Sequence, residues 1–276
     1  MYDANEKFKM NLRKTRIFLL SAFVIMGLML QGCAALRIFS REPKCEVRKE
    51  PYPVVYAAVP PKIDGKLDDA IWQQAVALST FYRYAESGQR THIGTAYLAW
   101  DRDNLYFCMD IKDKDLYVTE KENNEILCRA DVAELFIKPC DDRLDFYEFE
   151  FNVWNALWDI HYIGRGGGGA SRFTEHFNSG AIVRATHAGT INDWNDVDEG
   201  WTVEVAIPLK AFARAVPEGP QPGDLWKFNV SGYDFSCYRE KGLLFTMCDG
   251  NFRGFAEYEL YPSMQFMINK KGEKKK

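Results

Sequence analysis

A series of runs along the chain alternates apolar with polar positions: His92–Trp100, Leu105–Ile111, Val132–Ile137, Phe146–Val153, Leu157–Ile163, Ala181–His187, Trp201–Ile207, Leu225–Tyr233 and Met264–Ile268. They are rich in Val, Ile, Phe, Tyr and Trp, and a period of two is that of a strand with one buried face. Turn-forming residues separate them, among them Asp101-Arg102-Asp103-Asn104 and Pro220-Gln221-Pro222-Gly223. Helical periodicity is scarce. A short helix is predicted over Asp68–Ala75, with Asp68 as N-cap and Ile71 and Trp72 facing inward, and a second brief turn after Pro208. Many short strands at this spacing predict an all-β fold: a single antiparallel β-sandwich, jelly-roll-like with immunoglobulin-like layers and one or two short helices.

The alternation is strictest in Tyr147-Glu148-Phe149-Glu150-Phe151-Asn152. A strand sends successive side chains to opposite faces, so Tyr147, Phe149 and Phe151 are expected in the core. Glu148, Glu150 and Asn152 then line the other face. Neighbouring strands can add Glu134 and Glu204. A rigid row of carboxylates and an amide suits sugar hydroxyls, with aromatic rings covering the apolar sugar faces. An ordinary solvated outer face is the plain alternative.

The N-terminal region has a different pattern. Arg13, Lys14 and Arg16 precede an apolar run from Ile17 to Leu30, which ends in Leu30-Gln31-Gly32-Cys33. The run is shorter than the about 20 residues that a spanning helix needs. Its order is that of a bacterial secretion signal, and the small residue before Cys33 resembles a lipobox, where the signal is cut and the Cys is lipidated. The expected division is a signal over 1–33, a tether over 34–52, the sandwich over 53–269 and a basic tail over 270–276. The expected location is the cell envelope, lipid-anchored at a membrane such as the outer membrane, or the periplasm or cell surface. A plain cleaved signal and an uncleaved anchor are the alternatives.

Composition narrows the classes further. Hydrophobic residues make up 47% of the 276 and aromatics 14%, enough for a sizeable core. The formal net charge is −4, and five of the 35 Lys and Arg lie in Lys270–Lys276, so the body is more acidic still and unsuited to nucleic acid. With Cys33 set aside, Cys45, Cys108, Cys128, Cys140, Cys237 and Cys248 remain. None has CxxC spacing, which argues against zinc and thioredoxin-type chemistry. Cys108 is expected as a buried thiol, and Cys237 with Cys248 as a candidate disulfide across a hairpin. His92, His161, His176 and His187 lack metal spacing. Asp110, Asp113 and Asp115 form an acidic cluster that a structural calcium could use, a solvated turn being the alternative. Gly166–Gly169 reads as a surface loop, since no Lys-Ser/Thr follows it. No nucleophile elbow or HExxH motif is present, and no catalytic constellation is visible. Glu148 and Glu150 stand about 7 Å apart along one strand face, adjacent groups that seldom straddle a glycosidic bond. Trp72, Trp100, Trp201 and Trp226 are expected in the core. Trp154, Trp158 and Trp194 are candidates for exposed stacking.

Several of these segments, taken in order, resemble family 9 carbohydrate-binding modules and their relatives. They are Ile63-Asp64-Gly65-Lys66-Leu67-Asp68 with Trp72, Ala99-Trp100-Asp101 with Asn104-Leu105-Tyr106-Phe107, and Asp131 with Glu134-Leu135-Phe136-Ile137. Tyr147–Asn152, Gly200–Pro208 and Pro222-Gly223-Asp224-Leu225-Trp226 with Asn229 complete the series. The resemblance covers roughly residues 53–268. It implies a β-sandwich that binds sugars, sometimes with calcium, often attached to glycan-degrading systems. The family clamps a sugar between two Trp residues; Cys128 stands at the place of one, and Phe255 is nearest the other. Its polar contacts match Glu134 and Asn152, an Arg of its sugar site matches Glu150, and an Asn of its last loop matches Asn251 loosely.

The expected site is therefore Glu134, Glu148, Glu150, Asn152, Trp158, Asn229, Asn251 and Phe255, with an oligo- or polysaccharide as partner. The expected function is non-catalytic carbohydrate binding by a monomeric, membrane-anchored lipoprotein associated with extracellular polysaccharide breakdown. No cofactor is expected beyond a structural calcium. The rival readings are a glycoside hydrolase or its accessory, a haem-binding redox sandwich, and a scaffold or adhesion lipoprotein with a degenerate sugar site.

Overall fold

The computed structural model describes residues 50–164, 177–249 and 254–268, and the backbone of 174–175. All of them belong to one compact unit, Cys45–Lys276. Cys33 and the rest of the leader, the tether up to residue 49 with Cys45, Gly166–Gly169, His176, Asn251 and the basic tail lie outside the described residues.

The strands are β1 (Tyr52–Tyr56), β2 (Phe81–Arg83), β3 (Arg90–Thr91), β4 (Gly94–Trp100), β5 (Asn104–Ile111), β6 (Val132–Lys138) and β7 (Phe146–Phe151). They continue with β8 (Leu157–Tyr162), β9 (Thr174–Glu175), β10 (Ile182–Ala188), β11 (Gly200–Pro208), β12 (Leu225–Asp234), β13 (Leu243–Thr246) and β14 (Ser263–Phe266). One sheet runs β10-β11-β5-β4-β1 and the other β1-β14-β12-β6-β7-β8-β9, with β13 also beside β12 and leading to β2 and β3. Each run expected from the alternation is a strand, with ends shifted by a residue or two. The all-β sandwich is the observed architecture.

β1 belongs to both sheets. Tyr52–Val54 pair with Met264–Phe266 of β14, and Val55–Tyr56 pair with Ala99–Trp100 of β4, both in parallel. This strand departs from the antiparallel pairing expected throughout, and it begins at the last residue of the predicted tether. Among the described residues all other strand pairs are antiparallel.

The core lies between the sheets. Phe107 of β5 stacks on Phe151 of β7 at 5.8 Å, and the Trp100 edge meets Phe266 at 5.0 Å. Tyr147, Phe149 and Phe151 are fully buried in it, on the face that the alternation assigned to them. Trp72, Trp100, Trp201 and Trp226 are buried as expected.

The Asp68–Ala75 helix does not form. The segment makes successive turns, with a single i→i+4 bond from Ala75 N–H to the Ile71 carbonyl. Ile71 and Trp72 do face inward, packed on the outer face of the first sheet with Tyr106, Cys108 and Ala206. Tertiary anchoring overrides the helical spacing here. The anchor is Glu204 of β11, which is fully buried. Its carboxylate accepts hydrogen bonds from the N–H groups of Asp64, Gly65 and Lys66 at 3.0, 2.8 and 3.1 Å and from Trp72 Nε1 at 2.7 Å. Gly65 (φ +84°) lies so close to β10 that a Cβ would stand 2.8 Å from the Ala185 carbonyl carbon. Glu204 thus belongs to the sheet opposite Glu134 and does not join the carboxylate row. The brief turn after Pro208 is present as a 3-10 helix, Leu209–Phe212.

Cys237 and Cys248 are free thiols, so the expected bridge is absent. The β12–β13 register aligns Ser231 with Thr246 and Asp234 with Leu243. Cys237 lies beyond the hairpin's loop end and is exposed, while Cys248 lies beyond its other end and is buried. Cys108 is a buried thiol, as expected. Among the described residues no helix is long and apolar enough to cross a membrane.

Candidate functional site

The outer face of the second sheet gathers most of the expected site. Strand register sets out one lateral row, Trp158–Glu150–Glu134–Ser231–Thr246, across β8, β7, β6, β12 and β13. The next row is Ile160–Glu148–Phe136–Asn229. Glu134, Glu148 and Glu150 each offer a carboxylate oxygen within 4.8 Å of the others.

This face is closed to solvent. Phe255, Tyr258 and Tyr261 pack with Phe136, Phe146, Tyr162 and Cys248 over one part of it. Leu127, Val132 and Ala156, with Cys128, Trp158 and Tyr233, form a second cluster over the rest. The solvated outer face that the sequence also allowed is thus replaced by a second, mixed core. Glu134, Glu150, Asn152 and Asn229 are at most 2% exposed and Glu148 8%.

Burial without a facing base has an electrostatic consequence. Desolvation pushes the Glu134 carboxyl well above its ordinary range, the Glu148 charge adds to this, and a hydrogen bond from Ser231 opposes it. Glu148 is pushed up to about 7 by burial, against a hydrogen bond from the Tyr162 hydroxyl. Glu150 is pushed well up by burial and by Glu134 and Glu148, although the backbone at Cys128 and Leu127 binds it. Its Oε2 is buried without a hydrogen-bond partner. The trio therefore retains protons at pH values where free carboxylates have lost them.

The remaining expected residues sit in fixed roles. Asn152 donates to the Glu120 carbonyl at 2.8 Å and accepts from Trp154 and Ala156 N–H at 3.0 and 3.1 Å, which shapes the β7–β8 turn. Asn229 accepts from Thr246 Oγ1 at 3.0 Å. Phe255 presents no open face: it meets Tyr84 and Tyr233 edge-on at 5.1 and 5.5 Å. Trp158 is half-buried at the rim, next to the partly buried Cys128. Trp154 packs against the core with Lys121 Nζ 4.4 Å over its ring. Ser231 and Tyr162 complete the face and were not singled out in the sequence; the alternation of Leu225–Tyr233 was the available signal for Ser231.

The expected calcium cluster divides. Asp110 pairs with Lys112 at 3.1 Å, and Asp115 accepts from Cys237 N–H at 2.6 Å. Asp113 instead joins Asp131 and Asp234, buried with carboxylate oxygens within 4.8 Å of one another. Asp131 accepts from the N–H groups of Tyr117 and Phe235, and Asp234 pairs with Arg239 at 2.5 Å. Asp113 Oδ2 has no hydrogen-bond partner, and burial with the Asp234 charge pushes Asp113 up to about 7.

Comparison with known proteins places the fold. Residues 63–241 match the family model described as carbohydrate family 9 binding domain-like. A protein of Bacteroides uniformis ATCC 8492, described as a candidate carbohydrate-binding protein, has a similar fold. It is 13% identical, with a TM-score of 0.59 over 78% of this chain and 97% of its own. A carbohydrate binding module family 9 from Caldicellulosiruptor kristjanssonii, solved with cellotriose, is 15% identical, with a TM-score of 0.51 over 81% of this chain and 97% of its own. No curated protein matches the sequence significantly. A match that runs from the Glu204-anchored opening motif through β12 spans most of both sheets, and the chain belongs to the carbohydrate family 9 binding domain-like family.

Proposed function

We propose that the protein binds carbohydrate without transforming it, as a lipoprotein held in the cell envelope through Cys33 and associated with extracellular polysaccharide breakdown. The observation that carries this reading is the family match over residues 63–241. The similar fold of a family 9 module bound to cellotriose supports it. In this reading a saccharide is met at the rim of the carboxylate face. Trp158 supplies the half-buried ring there, while Glu134, Glu148, Glu150, Asn152, Asn229 and Phe255 lie beneath the cover and support the rim from behind.

Calorimetric titration with a panel of soluble polysaccharides and cello-oligosaccharides tests the proposal. Saturable binding without release of reducing ends is the expected result, and Trp158→Ala is expected to weaken it about tenfold through the loss of one ring contact. Turnover of any of these glycans would make the protein a hydrolase. One feature favours a second reading, a scaffold with a degenerate sugar site: Cys128 stands where the resemblance implies a ring, and Phe255 is covered. Failure to bind any saccharide would leave that reading in place.

A structural calcium is part of the proposal. Asp113, Asp131 and Asp234 would hold it, an all-oxygen set of the kind that ion takes, with Asp113 Oδ2 among the buried oxygens left without a hydrogen bond. Loss of several degrees in melting temperature on chelation, restored by calcium but not by magnesium, is expected. An unchanged melt would remove calcium from the account.

A further inference from the structure

A cavity of about 350 Å³ lies outside the carboxylate face, between the loops that carry Tyr117, Trp194 and Phe235–Gly242. That volume is within the range of small-ligand clefts. Trp194 is 69% exposed and Tyr117 41%, each on a different loop, and neither ring packs against another aromatic ring among the described residues. Two exposed rings from different loops thus border one cavity. Phe235 forms a third wall and stacks on Tyr233 at 6.2 Å, which links the cavity to the cover of the carboxylate face.

The walls are held rigidly, by groups that do not fill the cavity. One carboxylate, Asp131, accepts from both Tyr117 N–H at 2.5 Å and Phe235 N–H at 2.7 Å. Asp198 accepts from Leu116 N–H and Thr190 N–H, both at 2.7 Å, and so ties the Trp194 loop to the Tyr117 loop. The Asn192 amide bonds Val118 N–H and its carbonyl, each at 2.9 Å. Loops pinned in this way lose little further entropy when a ligand enters.

The polar lining sets the ligand class. Arg239 is already paired with Asp234, and Asp115, which accepts from Cys237 N–H, joins Glu240 and Lys241 to leave one net negative charge on the lining. Such a lining disfavours an anionic ligand and offers both donors and acceptors. An aromatic floor with mixed donors and acceptors fits a ring that has a C–H face and a hydroxyl edge.

We infer that this cavity is a subsite for a neutral pyranose unit, with Trp194 as its stacking platform and Tyr117 as its side wall. The inference rests on the proposed saccharide-binding reading and extends it to a place that shares no residue with the carboxylate face. A glycan chain bound there would be held by rings from two loops and oriented by Arg239, Glu240 and Lys241.

The test is affinity electrophoresis of the full chain in gels containing β-glucan, xylan or galactomannan, with polygalacturonate as the charged comparison. Quenching of tryptophan fluorescence by the retarding polysaccharide is followed in parallel. Expected are retardation by at least one neutral polysaccharide, a loss of about tenfold or more in affinity in Trp194→Ala, and retention of most of it in Trp194→Phe. The exposed position of Trp194 leaves folding intact, which circular dichroism checks. Wild-type binding that Trp194→Ala leaves unchanged would overturn this subsite and leave the proposed function standing. Retardation by polygalacturonate alone would overturn the neutral ligand class. Absence of retardation by every polysaccharide would overturn both readings.

Discussion

The folded protein is expected to lose stability as the pH rises from about 4 to about 8. Glu148 is pushed up to about 7 in the fold, whereas a free Glu titrates near 4.3. Between these values the unfolded chain has released the proton that the folded chain still binds. The stabilising contribution is therefore complete below the unfolded value and lost as the pH passes through the folded one. A shift of that size corresponds to a loss on the order of 3 kcal/mol, shared among the coupled carboxyls of the trio. Glu134 and Glu150, shifted in the same direction, steepen the slope. The groups that face the trio are neutral or acidic: Tyr162 from β8, Tyr233 from β12, Tyr261 from the cover and Cys128 from the loop before β6. None compensates a new negative charge. Thermal melts from pH 4.5 to 8 check this, with an expected fall of roughly 6–12 °C. Glu148→Gln keeps the shape and an acceptor for Tyr162 but removes the titration. The variant is expected to flatten the curve and to match or exceed the wild type at pH 8. A variant that is less stable at pH 8 with an unchanged slope would refute the assignment.

Glu204→Ala is expected to destabilise the protein by about 4 kcal/mol or more. Glu204 is also buried and its carboxyl is also pushed up, burial outweighing the hydrogen bonds that oppose it. Its setting differs from that of Glu148, because four donors converge on it: three backbone N–H groups of the opening turn and Trp72 Nε1. Truncation leaves those donors without an acceptor, each at about 1–3 kcal/mol. It also frees the segment that packs Ile71 and Trp72 onto the first sheet. Glu204→Gln presents an amide N–H₂ to donors and is expected to destabilise as well, by about half as much. The isosteric amide is thus neutral or favourable at position 148 and unfavourable at 204. Urea unfolding of both pairs of variants measures this contrast, and a Glu204→Ala variant within 1 kcal/mol of wild type would contradict it.

The strands were legible because they combine β-branched and aromatic residues with strict alternation, as in Tyr147–Asn152. The short strands Phe81–Arg83 and Leu243–Thr246 carry too few residues to show a period, and they form by pairing with each other and with β12. The turn-rich segment at Asp68–Ala75 has the spacing of a helix but takes its shape from Glu204, 132 residues beyond Trp72. No local pattern carries that information. At the candidate site, alternation placed Glu148 and Glu150 on the outer face correctly. It could not place the cover, since Leu127, Cys128, Phe255 and Tyr261 come from loops and Tyr258 from a three-residue 3-10 helix, none with a readable period. The same limit explains the acidic clusters: Asp113 was grouped with its sequence neighbours, whereas its spatial partners Asp131 and Asp234 come from the start of β6 and the end of β12.

β1 is the first strand of the sandwich and the strand whose hydrogen bonds reach both sheets. Its partners β4 and β14 both run parallel to it. A pull applied ahead of Tyr52 along the strand axis therefore loads those bonds together in shear, not one after another as when an antiparallel hairpin peels open. If the chain is held on that side while its loops grip a polymer, tension enters at the strand that binds the two layers.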